Sequence, residues 1–231
     1  MTGLSVEHNL IKAKSLVRDK KFLDALGLYN SILKKFPHNK RAQFGIHQLK
    51  LSAPKILNPS QQNIDTLIEH YQKGRNDEAV KLAKIMTKEF PENSFGWKLL
   101  GAVLQATGEI SKSINSFQKY LEITPLDAKI FNNLGVMLLE SSRLNEAVVS
   151  FKKAISLKYD YPNAYNNLGM TLKKLGKLDE SEVSLKKAIE LKSDFAEAYC
   201  NLGDTQTVLL KLEEAEKNLR QAISLKPNYA D

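Results

Sequence analysis

Apolar side chains recur along this chain with a helical period and, over its second half, with a longer one. Four thirty-four-residue segments superpose on a Leu-Gly pair: 94–127, 128–161, 162–195 and 196–229. With the glycine as position 8, position 4 is aromatic each time (Trp97, Phe131, Tyr165, Tyr199). Position 7 is Leu100, Leu134, Leu168 and Leu202, and position 8 is Gly101, Gly135, Gly169 and Gly203. Positions 4, 7, 8 and 11 make one stripe of a helix. A second stripe falls at position 20 (Ser113, Ala147, Ser181, Ala215), position 24 (Phe117, Phe151, Leu185, Leu219) and position 27 (Tyr120, Ala154, Ala188, Ala222). The pattern predicts an all-α chain with two amphipathic helices per segment. Pro91, Pro125 and Pro227 fall at position 32, after the second helix, where a residue lacking an N–H ends helical pairing.

A glycine inside a helix costs about 1 kcal/mol relative to alanine. Four returns at one position predict close helix–helix approach there. Segment 60–93 is a degenerate copy: Leu67 replaces the glycine and Asn63 the aromatic, while Gly74, Ala79 and Pro91 keep the phase. Ala25, Tyr29 and Pro37 place another copy at 6–39. An additional helix, about 40–51, carries Phe44, Ile46, Leu49 and Leu51, and "SAPKILNPS" with Pro54 and Pro59 follows as a linker. The expected organisation is a three-helix piece at 1–51, a linker at 52–59, and a five-repeat array at 60–231.

At these positions the sequence resembles tetratricopeptide repeats. The resemblance implies a right-handed superhelix, an α-solenoid of antiparallel helix pairs whose first helices line a concave groove. Such arrays normally finish with a capping helix. This sequence stops at "LKPNYAD", where Ala230 and Asp231 begin another unit. The expectation is a fragment of a longer protein, the alternative an end covered by a neighbour.

Charge changes the picture at one end only. Residues 1–59 hold eleven Lys/Arg and three Asp/Glu, and so carry the whole net charge of +8; residues 60–231 hold twenty-three of each. The basic cluster is Lys12, Lys14, Arg18, Lys20, Lys21, Lys34, Lys35, Lys40 and Arg41. An acidic protein, nucleic acid or an anionic membrane could meet it. It lacks the aromatic interleaving that base stacking uses, so nucleic acid is not the expected partner. No apolar run reaches the ~18 residues of a membrane span, and no secretory leader is visible. Cys200, the single cysteine, suits a reducing compartment, and the expected localisation is cytoplasmic.

Candidate chemistry is sparse. His8, His38, His47 and His70 form no metal spacing, and there is no phosphate-binding glycine loop. Cys200 has no histidine nearby in sequence, so a structural role is expected. Neither catalytic residue, metal nor cofactor is expected.

Polar chemistry instead concentrates on positions 2, 6, 9 and 13, opposite the packing stripe of each first helix. Asn133, Asn167 and Asn201 share position 6. A carboxamide both donates and accepts, as a peptide bond does, so such a row suits an extended main chain. It resembles the asparagine row of O-linked N-acetylglucosamine transferases, whose superhelical arrays hold bound polypeptide. Leu99 and Asp65 depart from the pattern at position 6 of the preceding segments. The alternative role for the asparagines is hydrogen bonding between repeats. Around the row, Lys129, Val136, Asn163, Met170, Lys174 and Asp204 fall on the same stripe, and segment 94–127 offers an apolar version of it in Phe95, Leu99, Ala102 and Ala106.

The expected function is a non-enzymatic, scaffold-like module that binds a peptide or protein segment in its groove. Self-association through the terminal helices or the N-terminal piece is a further expectation. The alternative is the recognition arm of a larger enzyme. Bacterial proteins with a similar leader and repeat array continue into sulfotransferase, glycosyltransferase or oxygenase domains.

Overall fold

The computed structural model describes residues 3–52 and 58–226. The core of the expected linker, residues 53–57 with Pro54, lies outside them, as do Pro227, residues 228–231 and the Leu51 side chain. The described residues form thirteen α-helices and no strand. They are α1 (Gly3–Arg18), α2 (Phe22–Lys35), α3 (Lys40–Ser52), α4 (Gln61–Gln72), α5 (Asn76–Glu89), α6 (Ser94–Ala106) and α7 (Ile110–Ile123). Then come α8 (Ala128–Glu140), α9 (Leu144–Leu157), α10 (Pro162–Lys174), α11 (Leu178–Leu191), α12 (Ala196–Val208) and α13 (Leu212–Leu225). Two compact units divide within α6, Met1–Val103 and Leu104–Asp231.

In the first unit, Leu10 and Ala13 of α1, Ala25, Leu26, Tyr29 and Ile32 of α2, and Ala42 and Leu49 of α3 are buried together. Gly45 lets α3 close on α2, since a Cβ there would lie 2.4 Å from Tyr29 Cζ. The apolar pattern puts Phe44 on the buried stripe of α3. In the structure Phe44 is 63% exposed, and the glycine beside it faces the core. The Arg41 guanidinium donates to both Glu7 carboxylate oxygens, at 2.6 and 3.0 Å, and ties α3 to α1. Asn30 Nδ2 of α2 donates to Glu92 Oε2 beyond α5, so the three-helix piece is bonded to the following repeat. Leu67, which replaces the repeat glycine, is fully buried on α4.

In the second unit, α8 packs against α9, α10 against α11 and α12 against α13, and each pair stacks on the next. The second-helix stripe is the core: Ala147, Phe151, Ala154, Leu185 and Ala188 are all 0% exposed. Full burial of a Leu or Phe side chain is worth about 1.5–3 kcal/mol. The glycines sit where the first helix crosses this stripe. A Cβ on Gly135 would lie 2.5 Å from Phe151 Cε1, on Gly169 2.5 Å from Leu185 Cγ, and on Gly203 2.6 Å from Leu219 Cγ. Position 8 therefore meets position 24 of its own repeat. Ser181, at position 20, donates its hydroxyl to the Gly169 carbonyl at 2.8 Å.

Every first helix ends the same way. Position 15 has positive φ in all six copies: Lys20, Gly74, Gly108, Ser142, Gly176 and Leu210. Its N–H and the next reach back to the helix carbonyls, as in Gly176 N–H to Lys173 O and Lys177 N–H to Leu172 O, both 2.9 Å. This Schellman closure satisfies carbonyls that the helix end would otherwise orphan.

A buried polar network joins the last two repeats. Glu182 on α11, 6% exposed, accepts from Gln206 Nε2 at 3.0 Å and from Lys211 Nζ at 2.6 Å, and pairs with Lys186 at 2.9 Å. The Lys211 ammonium above all, then the hydrogen bonds from Gln206 and Lys186, lower the Glu182 pKa to about 2 against its desolvation. Asn218 donates in turn to Gln206 Oε1 at 2.7 Å.

Candidate functional site

Three first helices, α8, α10 and α12, bring their polar stripes side by side in the second unit. The repeat dictates this: once positions 4, 7, 8 and 11 are spent on packing, positions 2, 6, 9 and 13 remain outward on each helix. Lys129, Asn133, Asn163, Lys174 and Asp204 are exposed, and Val136, Met170, Asn167 and Asn201 are half-buried. The helix axes are in contact, so the rungs follow one another at roughly the 8–10 Å of packed helices.

The asparagines are cross-linked by their neighbours at position 5. Asn167 Nδ2 donates to Asn132 Oδ1 at 3.1 Å, and Asn201 Nδ2 donates to Asn166 Oδ1 at 2.9 Å. Asn132 and Asn166 are buried, at 8% and 1% exposure, so each pair anchors an outer carboxamide on an inner one of the preceding repeat. Asn166 also donates to Glu197 Oε1 at 3.0 Å. The inter-repeat role is thus present for Asn167 and Asn201. Each spends a donor on it, and its own Oδ1 is not used in these bonds. Asn133 is exposed and makes no side-chain hydrogen bond among the described residues.

Charge on this face is similarly pinned. Asp204 accepts from Lys173 Nζ of the preceding repeat at 3.0 Å. The Thr171 and Thr205 hydroxyls donate to the Asn167 and Asn201 carbonyls, at 2.7 and 2.8 Å. Cys200 takes position 5 where the other two repeats have asparagine, and is half-buried. Burial first, then the Asp204 and Glu197 carboxylates against Lys173, raise its thiol pKa, which is opposite to what a nucleophile needs.

Phe95, Leu99 and Ala102, in the first unit, are half-buried, and Ala106 at the end of the helix is exposed. Among the described residues no group of His, Cys, Asp and Glu could hold a metal ion, and no helix is long and apolar enough to cross a membrane.

The carboxamide doublet was visible in sequence as "NN" at 132–133 and 166–167. The inner member's role was not. It depends on the stagger between repeats, which brings residues 35 apart in sequence into contact.

Comparison with known proteins bears on the repeat and the fold. Family models described as tetratricopeptide repeat match residues 162–195 and 196–229, and one described as TPR repeat matches 135–176. No curated protein sequence matches the chain. Among solved structures, a MamA crystal structure superposes with TM-score 0.68 at 24% identity, covering 73% of this chain and 92% of that one. MamA 41-end from Desulfovibrio magneticus RS-1 superposes with TM-score 0.68 at 16% identity, covering 74% and 97%. YrrB, a tetratricopeptide protein described as having an unusual peptide-binding site, gives TM-score 0.69 at 19% identity, covering 78% and 93%. At these identities the likeness shows the fold. None of these matches is an O-linked N-acetylglucosamine transferase, a sulfotransferase or an oxygenase. What they support is the repeat itself: tetratricopeptide-repeat models match residues 135–229, and the all-α arrangement of paired antiparallel helices is the one such repeats build.

Proposed function

We propose that the chain is a non-catalytic interaction module, and that an extended peptide segment lies across the polar stripes of α8, α10 and α12. The observation that carries this is the anchored carboxamide row. Asn167 and Asn201 are held by buried partners, so their carboxamides, each with an Oδ1 not used in these bonds, are oriented before any ligand arrives, which lowers the entropic cost of binding. Asn133 opens the row with both donor and acceptor available. Half-buried Val136 and Met170 supply apolar contact between rungs, and Lys129, Asn163 and Lys174 form its rim. YrrB, with its described peptide-binding site, is a structural precedent for the use of such a fold.

The test starts from peptides selected on the whole chain from a random display library. Asn133→Ala and Met170→Glu lie on the proposed surface; Val149→Ser and Val183→Ser lie on second helices, at 68% and 69% exposure, as controls. The first two should weaken the selected peptides about tenfold or more. The controls should leave affinity unchanged. Peptides that ignore the first pair and respond to the second would refute the assignment.

A further inference from the structure

A second surface lies in the first unit, at the corner between α2 and α3. From Lys34 to Phe44 the sequence reads "KKFPHNKRAQF", with four Lys/Arg, two Phe and no Asp or Glu. The four residues between the helices fold the corner tightly: Phe36 N–H donates to Ile32 O at 2.8 Å, Asn39 N–H to Phe36 O at 3.0 Å, and Gln43 Nε2 to Pro37 O at 2.9 Å. Lys34, Lys35 and Lys40 are exposed, and Phe36 and Phe44 are 40% and 63% exposed. Lys40 and Phe44, four apart on α3, share a face.

The folded chain does not explain this cluster. Among the described residues some exposed lysines elsewhere are paired, as in Lys73–Glu69 and Lys119–Glu122, and single ones such as Lys129 and Lys174 are not, but here three stand together with no acidic residue between Lys34 and Phe44. Lys34, Lys35 and Lys40 have no carboxylate within ion-pair distance among the described residues. Lys34 and Lys35 close the C-terminus of α2, where the helix dipole favours cations. Lys40 and Arg41 open α3, whose first turn holds no acidic residue, and a cation there opposes the dipole. A second copy of the chain is a poor partner, because residues 60–231 are neutral overall.

We infer that this corner docks on an anionic lipid bilayer. Three exposed point-charge ammoniums at this corner need only a diffuse negative surface, not a shaped groove. Two exposed phenylalanines, Phe36 at the turn and Phe44 one helical turn beyond Lys40, can enter the headgroup–acyl boundary, where an aromatic hydrocarbon with no polar edge is stable. The Arg41 fork, the group best suited to a discrete phosphate, is already occupied by Glu7.

The full chain is sedimented with phosphatidylcholine vesicles, with or without about one-third phosphatidylserine. It should pellet with the anionic vesicles alone and be released by salt. Lys34→Gln, Lys35→Gln and Lys40→Gln together should lower partitioning on the order of 100-fold, and Phe44→Ser about tenfold. Circular dichroism should be unchanged, since these side chains are exposed. Asn133→Ala, on the separate peptide surface, should bind vesicles normally. Equal pelleting with neutral vesicles, or full pelleting of the triple variant, would overturn the inference. So would retention of single-stranded RNA under conditions that leave the chain unbound by anionic vesicles.

Discussion

Replacing Gly169 by alanine adds one methyl group at the crossing of α10 and α11. Its carbon would lie 2.5 Å from Leu185 Cγ, 2.9 Å from Cδ2 and 3.2 Å from the Ser181 carbonyl oxygen. Leu185 is 0% exposed and Cγ is its branch point, so the contact cannot be relieved by swinging a side-chain end. Overpacking of this kind costs about 1–3 kcal/mol, more than the roughly 1 kcal/mol that alanine returns in helix propensity. Gly27, exposed on α2, is the control: a Cβ there meets nothing within 4 Å. The same substitution should have opposite signs, with Gly27→Ala raising the urea midpoint and Gly169→Ala lowering it, the latter through a net loss of up to about 2 kcal/mol of stability. Leu185→Ala should rescue. Alone it creates a cavity costing about 2–5 kcal/mol, but in the Gly169→Ala background its cost should fall by at least ~1 kcal/mol. Far-UV circular dichroism against urea reads all four chains. Additive effects, or a Gly169→Ala chain as stable as Gly27→Ala, would show that no clash exists at this crossing.

Leu210 has φ +60° and is 82% exposed, so Leu210→Gly should raise the melting temperature through ~0.5–1 kcal/mol of relieved backbone strain; a fall would contradict the left-handed turn at position 15. Glu182 has a folded pKa of about 2, below the ordinary glutamate value of ~4.3. Its stabilisation is therefore fully present above the unfolded value and is lost as pH falls toward 2. Glu182→Gln should cost on the order of 2 kcal/mol at pH 7, after discounting for its partly exposed lysine partners, with the gap to the native chain narrowing below pH 4.5. A gap constant with pH would refute the ionic reading of that network.

The repeat's phase was legible because packing glycines and position-24 side chains recur at one spacing. The contact between them follows from close packing alone. The turn at position 15 was legible only where glycine marks it, at Gly74, Gly108 and Gly176. Lys20, Ser142 and Leu210 adopt the same conformation under local strain, which their identities do not advertise. In α3, Phe44 and Gly45 are neighbours, and the less apolar of the two faces the core. Hydrophobicity favours the phenylalanine, but the space beside Tyr29 admits only the glycine. Gln206 could have been noticed, since it stands at position 11 where Leu138 and Leu172 precede it. Its partner Glu182 is read most simply as a surface charge until the stacking of α11 on α12 buries it. The outer asparagines were found by period, whereas their fixation by Asn132 and Asn166 needed the tertiary stagger.

The most direct measurement on the peptide surface is a titration of the isotopically labelled chain with a display-selected peptide, followed through side-chain carboxamide resonances. The account predicts that the Asn133, Asn167 and Asn201 amide pairs shift together with the methyl groups of Val136 and Met170. The second-helix methyls of Val149 and Val183 should stay in place. Shifts confined to those second helices, with all three carboxamides unmoved at saturation, would contradict it.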